Sequence, residues 1–170
     1  MIKLNIGSGE HKIPGYLSVD KFAKNVDIKA DAMKLPYNDN IIDEIYSCHM
    51  IEHQHNINII ATFKEWYRVL KPNGTLIIRC PNFELYIREF LEMDDMNPKK
   101  FTWGIINIYG HTHKSEGLGT RGGFTTGRLK TQLEQIGFKT LKCHTMETRV
   151  TNKKHIEYRP NGDIYYKGIK

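Results

Sequence analysis

Met1-Ile-Lys-Leu-Asn-Ile-Gly-Ser-Gly9 decides how the rest of the chain is read. Its apolar run, Ile2, Leu4 and Ile6, breaks off in Gly7-Ser8-Gly9. A buried strand has this look where it stops at a tight turn and backbone must approach a ligand closely. Leu17-Ser-Val-Asp20 follows, a second short apolar run closed by a carboxylate. A glycine loop after one strand lets a ligand lie on bare amides, and an acid at the next strand tip can accept from two ribose hydroxyls. The third glycine of the dinucleotide fingerprint is absent, position 12 being Lys12.

Outward from this start the strands and helices alternate. Val26 to Asp31 reads as a third strand ending at another acid, and Ala32 to Leu35 is closed by Pro36, since the residue before proline avoids helix. Ile41 to Ser47 is a fourth strand that stops at Cys48-His49-Met50-Ile51-Glu52-His53. Ile57, Ile60, Ala61, Trp66, Val69 and Leu70 recur at helical spacing, which predicts a helix over 57–70. Lys71-Pro72-Asn73-Gly74 is expected to end that helix as a turn. Thr75 to Cys80 is a fifth strand, and a second helix is expected over Phe83 to Met93. Asp94 to Gly123 reads as a long irregular segment, the type of loop that forms lids and binding elements. Thr125 or Thr126 caps a third helix, which Gly137 stops. Phe138 to His144 is a strand, and Ile156 to Lys167 is expected to be a hairpin around Asn161-Gly162.

This order means an α/β protein with a mostly parallel sheet. Parallel neighbours need crossovers of about a dozen residues or more. Only about ten residues separate the first two strands and about five the next two. Helices are therefore shortened on one face of the sheet. The 94–123 insertion, or a second subunit in a homodimer, is expected to cover that thin face.

The 170 residues suit a single domain. It is read as a ligand-binding half over 1–82, an insertion on the acceptor side over 83–125, and a C-terminal helix with strands over 126–170. No apolar stretch approaches the length of a membrane span, and the chain shows no basic-then-apolar leader. Cys48, Cys80 and Cys143 are scattered without a C-x-x-C pair, as expected of free thiols in a reducing, cytoplasmic setting. The net charge is +6, and Lys139 to Lys170 contributes +5 of it through eight Lys/Arg against three acids. A basic tail can touch nucleic acid, although a plain solvated terminus explains it more simply.

Several segments converge in order on a known pattern. They are Leu4 to Gly9, Gly15-Tyr-Leu-Ser-Val-Asp20, Ala30-Asp-Ala-Met-Lys-Leu-Pro36, Ile42 to Ser47, Ile51-Glu-His53, and Glu65 to Ile78. Together they resemble the class I S-adenosylmethionine-dependent methyltransferases, over about residues 2–82, and specifically the small stand-alone branch like methyltransferase type 11. The resemblance implies a Rossmann-like fold with S-adenosylmethionine as cofactor. It places Gly7, Ser8 and Gly9 beneath the methionine part and Asp20 on the ribose diol. It places Asp31 on the adenine amino group, with the Ala32 amide and Met33 against the ring. Ser47 to His49 would line the methionine amino group and the methyl. The first motif departs from the family, with Glu10-His11 where another glycine is common and no helix behind it.

Methyl transfer needs alignment of the acceptor and exclusion of water more than protein-derived chemistry. An oxygen acceptor benefits from a nearby base, for which the candidates are His53, Glu52, His49 and His111. Glu52 and His53 equally suit a bracing role in the loop after the fourth strand, and His111 with His113 suits plain loop positions. His49-Met-Ile-Glu52-His53 also spells H-x-x-E-H, a zinc-peptidase signature, but the chain lacks the size of that family and the site is read without a metal. The expected function is methyl transfer to a small-molecule or sugar-like acceptor. The alternatives are a nucleic-acid methyltransferase using the basic tail, which lacks an Asn/Asp-Pro-Pro-aromatic motif, and a cofactor-binding module without catalysis.

Overall fold

A computed structural model describes residues 1–91, 122–146 and 162–170. Strands β1 (Lys3–Ile6), β2 (Leu17–Asp20), β3 (Ile28–Lys29) and β4 (Ile42–Cys48) precede a 3-10 turn at Ile51–His53. Helix α1 (Asn56–Val69), β5 (Leu70–Pro81), α2 (Phe83–Leu91), α3 (Thr126–Ile136), β6 (Lys139–Met146) and β7 (Asp163–Ile169) complete the described chain. All seven strands form one sheet in the order β3-β2-β1-β4-β5-β7-β6. β1 to β5 run parallel, and β7 is inserted antiparallel between β5 and β6.

The side-chain period of two sorts the strands into faces. Leu4, Ile6, Ile45, Leu76, Ile78, Ile164 and Tyr166 point to one face and are at most 1% exposed. Helices α1 and α3 cover it through Ile59, Phe63, Trp66, Leu129 and Leu133. Trp66 also donates its indole N–H to the Ala32 carbonyl at 3.1 Å, so the core fixes the segment after β3. The α1 boundaries match the periodicity, but the buried stripe is rotated from the one expected. Ile57 is 87% exposed and Ala61 is exposed too, while Ile59, Thr62 and Phe63 face the sheet. The three isoleucines near the helix start satisfy either stripe, and contact with Phe124 across Phe63 selects this one.

Thr125 caps α3 by accepting the Arg128 amide at 3.1 Å, and Gly137 ends it, as expected. Two other expectations change. The third strand shrinks to Ile28–Lys29, because at the sheet edge only Val19 and Asp20 offer it partners. Lys71–Gly74 is no simple turn: β5 already starts at Leu70, which pairs with Ile42, and the next pair is Glu44 with Thr75. The intervening residues bulge out, with Asn73 left-handed and its amide held by the Lys170 carbonyl at 3.0 Å. The hairpin expected over 156–167 lies largely outside the described residues, which omit 147–161; its described part, the strand from Asp163, pairs antiparallel with β5 and with β6.

The second face carries Lys3, Asn5, Glu44, Tyr46 and Arg79, and as expected no helix occupies either short link, β1 to β2 or β2 to β3. Tyr16 covers part of this face. That ring packs edge-on to Tyr46 at 6.2 Å, its hydroxyl donates to Glu44, and Lys3 sits over it at 5.4 Å. The 94–123 insertion falls almost wholly outside the described residues. No helix among the described residues is long and apolar enough to cross a membrane. The three cysteines are free thiols.

Candidate functional site

The order in which strands are added reverses between β1 and β4. From β1 the chain steps outward to β2 and β3, then crosses back to β4 on the other side. Such a switch point opens a crevice beyond the carboxyl ends of the strands, where ligands of open α/β sheets bind. A cavity of about 280 Å³ lies here, lined by Asn5, Gly7, Ser8, His11, Ile13, Tyr46, Cys48 and Arg79. A hollow of about 330 Å³ lies beside Met1–Lys3 and Gly15–Leu17. It is at the starts of β1 and β2, the edge away from the strand tips.

The glycine loop is shaped by two different constraints. Gly7 is left-handed at φ +71°, and a Cβ there would lie 2.1 Å from Met50 Cγ. Met50, in the turn after β4, therefore packs directly on Gly7 and locks the two strand tips together. Gly9 is also left-handed, at φ +54°, but a Cβ there would meet nothing within 4 Å. Only Gly9 leaves open space of the kind a ligand can fill.

Asp20 organises this loop. Its Oδ2 accepts the Gly9 amide at 2.9 Å, and its Oδ1 accepts the Phe22 and Ala23 amides at 2.8 and 3.0 Å. Burial raises its pKa, but the three amides outweigh burial and hold it below the usual carboxylate value. With two lone pairs per oxygen, Oδ2 retains one for a hydroxyl donor. Asp31 lies one strand further out and accepts the Met33 amide at 2.9 Å and the Lys21 ammonium at 2.8 Å. Burial acts to raise its pKa too, and the Lys21 and Met33 bonds bring it below the usual value. Ala32 is 8% exposed and Met33 is half-buried beside it. Both aspartates thus hold local amides, and both also face the strand-tip edge.

The turn after β4 carries an ion cluster. His49 is left-handed at φ +52°. Its Nδ1 lies 3.2 Å from Glu52 Oε1 and its Nε2 3.1 Å from Asp163 Oδ2. Arg79 Nη2 donates to the same Asp163 oxygen at 3.0 Å. An imidazole with a carboxylate at each nitrogen donates from both, which makes it the imidazolium. The hydrogen bonds from Asp163 and Glu52 push its pKa up to about 10 against opposing burial. His49 therefore has no lone pair for base catalysis near neutral pH. The H-x-x-E-H spacing does not place two histidines on one helix either, because His49 precedes a three-residue turn that contains His53.

Of the other expected residues, Ser47 is 1% exposed, shares a face with Ile45, and points away from the cavity that Cys48 lines. Glu52 is 4% exposed and faces His49. His53 closes the 3-10 turn, its amide donating to the Met50 carbonyl at 3.0 Å. His111 and His113 lie outside the described residues. Arg79 and Asp163 were not read from the sequence as site residues. The one available signal was an arginine interrupting the apolar run Leu76-Ile-Ile-Arg-Cys80.

The site fits a nucleoside sulfonium. Among the described residues, Arg79 Nε in the cavity lining is buried without a partner, whereas the orphaned Ser47 Oγ and Glu52 Oε2 lie off that lining. A buried orphan of this type costs roughly 1–3 kcal/mol, which a polar ligand can offset. The loop at Gly9 is open, Asp20 keeps an acceptor, and the cavity reaches the same loop at Gly7 and Ser8.

Residues 11–78 match the model of a family described as a methyltransferase domain. No curated protein matches the chain. Solved structures do. An S-adenosylmethionine-dependent methyltransferase from Archaeoglobus fulgidus is 16% identical, with 99% of this chain and 85% of that one covered and a TM-score of 0.65. One from Thermotoga maritima is 18% identical, with 99% and 82% covered and a TM-score of 0.63. The 1,6-didemethyltoxoflavin-N1-methyltransferase of Burkholderia thailandensis, holding its substrate and S-adenosylhomocysteine, is 11% identical, with 99% and 70% covered and a TM-score of 0.63.

Proposed function

We propose, from the premise that this chain is a class I methyltransferase in fold and in sequence over residues 11–78, with S-adenosylmethionine as its cofactor, that its acceptor is a small molecule. The observation that carries this is the tip of β4, Ser47-Cys48-His49-Met50, which lacks the Asn/Asp-Pro-Pro-aromatic motif of base amino methylation. The Burkholderia relative, which binds a small heterocycle, is consistent with it. Of the basic tail, one lysine is already engaged. Lys170 Nζ is spent on Asn40 Oδ1 and the Tyr67 carbonyl, both at 2.7 Å.

S-adenosylmethionine would supply a methyl group on a sulfonium, taken in line by an aligned nucleophile as the S–CH3 bond breaks and the neutral thioether leaves. The chain's own residues do the holding. Asp20 accepts from the ribose diol through the lone pair that the Gly9 amide leaves on Oδ2. Asp31 accepts from the adenine amino group while keeping Lys21 and Met33, and Ala32 with Met33 floors the ring. Gly7, Ser8 and Gly9 run beneath the methionyl end, and Cys48 and His49 close the tip of β4. His49 acts as a fixed cation, not as a base. Glu52 braces it through one oxygen and keeps the other as an acceptor.

The test is transfer of a labelled methyl group from S-adenosylmethionine into a panel of amines, phenols, sugars and short RNA and DNA. Product in a small-molecule arm supports the reading. Product in the nucleic-acid arm alone overturns the acceptor assignment. Cofactor binding without product in any arm returns the cofactor-binding module.

A further inference from the structure

Arg79 lies third from the end of β5, in register with Cys48 on β4 and Tyr165 on β7. Alternation places it on the helix-free face, where it lines the switch-point cavity together with Gly7 and Ser8. Its Nη2 donates to Asp163 Oδ2, but His49 Nε2 shares that oxygen at 3.1 Å. One carboxylate oxygen between two cations compensates the guanidinium only in part. Among the described residues Arg79 Nε is buried without a partner. None of the described residues lining the cavity is an acid, and Asn5 and Ser8 are buried polar side chains there. A guanidinium with a spare donor, in a cavity without acids, selects for an anion and above all for a carboxylate.

We propose that Arg79 anchors the carboxylate of the cofactor's methionyl end. This rests on the reading of the chain as an S-adenosylmethionine-dependent methyltransferase. That cofactor carries a single carboxylate, at the end of its amino-acid tail. Gly7 and Ser8, assigned beneath that tail, line the same cavity as the guanidinium. At about 280 Å³ the cavity is too small for the whole cofactor and roomy enough for the tail. The link between β1 and β2 is too short to cover this space with a helix. In this chain the cation for the tail therefore comes from β5, across the sheet from the glycine loop.

Calorimetry on the full chain tests this with two nucleosides. S-adenosylhomocysteine has the tail, and 5′-methylthioadenosine lacks the amino-acid carboxylate. The wild type is expected to prefer the first by at least about tenfold, as a charge-assisted hydrogen bond commands. Arg79→Gln is expected to lose that preference while binding methylthioadenosine as the wild type does, and Arg79→Lys to keep part of it. Equal weakening of both ligands means a structural role and overturns the proposal, as does an unchanged preference in Arg79→Gln. Should Arg79→Gln fail to fold, the wild type is compared on S-adenosylhomocysteine and its carboxamide, and equal affinities overturn it. A wild type that binds both nucleosides equally sinks the Arg79 assignment alone. One that binds neither sinks the cofactor reading beneath it.

Discussion

Asp20→Asn separates the two duties of this carboxylate with almost no change in shape. In the wild type Oδ2 takes the Gly9 amide and Oδ1 takes those of Phe22 and Ala23. An asparagine can accept through one end only. Facing its NH2 toward Phe22 and Ala23 orphans two amides, whereas facing it toward Gly9 orphans one, so the second orientation wins. The NH2 group then sits where the ribose hydroxyl would donate, and it repels the Gly9 amide. Stability is expected to fall by about 0.5–1.5 kcal/mol, because the half-exposed loop recovers water for its lost partner. Binding suffers more. Loss of a charge-assisted hydrogen bond to the ribose removes about 1.5–3 kcal/mol, which is roughly ten- to 150-fold in affinity. Calorimetry with S-adenosylhomocysteine, alongside urea denaturation, reads both quantities on one preparation. Affinity within twofold of wild type in a folded variant would refute the ribose role. Asp20 would then be a loop carboxylate and nothing more.

The other predictions concern the clamp, the loop and the core. His49 has a folded pKa of about 10 against about 6.5 unfolded, so its ion pairs stabilise fully below pH 6.5 and fade as the pH rises through 10. Its side chain is 39% exposed, so solvent screening reduces the gain to about 1–2 kcal/mol. Melting curves from pH 6 to 10 should show a decline that His49→Gln lacks, and parallel curves would contradict the clamp. Gly7→Ala meets Met50 at 2.1 Å in a left-handed conformation and should cost about 2–4 kcal/mol of stability. Gly9→Ala meets no atom and should cost only about 1–2 kcal/mol while weakening S-adenosylhomocysteine binding. The reverse ranking in melting temperature would misplace the ligand side of the loop. Trp66→Ala should lose about 3–5 kcal/mol by urea denaturation, and Trp66→Phe about 1–2 for the abandoned Ala32 carbonyl. A Trp66→Phe variant as stable as the wild type would show that the indole hydrogen bond contributes nothing.

The strand tips were legible because each pairs a local apolar run with its own terminator. Ile6 ends at Gly7, Val19 at Asp20, and Tyr46 and Ser47 at the histidine turn. The parallel register then brings them to one edge without further information. Arg79 and Asp163 were not legible for the opposite reason. Their meeting depends on β7 pairing with β5 across more than eighty residues, with Pro81 opposite Asp163, and no local period encodes it. Asn161-Gly162 signalled a turn but not which earlier strand β7 would join. The role of Gly7 was hidden in the same way. Its missing Cβ makes room for Met50, forty-three residues on, and not for a ligand. His49 looked like a base because its type suits one, and only the two carboxylates brought by folding make it a cation.

A crystal structure of the chain grown with S-adenosylhomocysteine tests the central claim most directly. The account predicts the ribose on Asp20, the base between Asp31 and Met33, and the amino-acid tail over Gly7 to Gly9 at the β1–β4 switch. Nucleoside density at any other edge of the sheet, or none at saturating concentration, would contradict it.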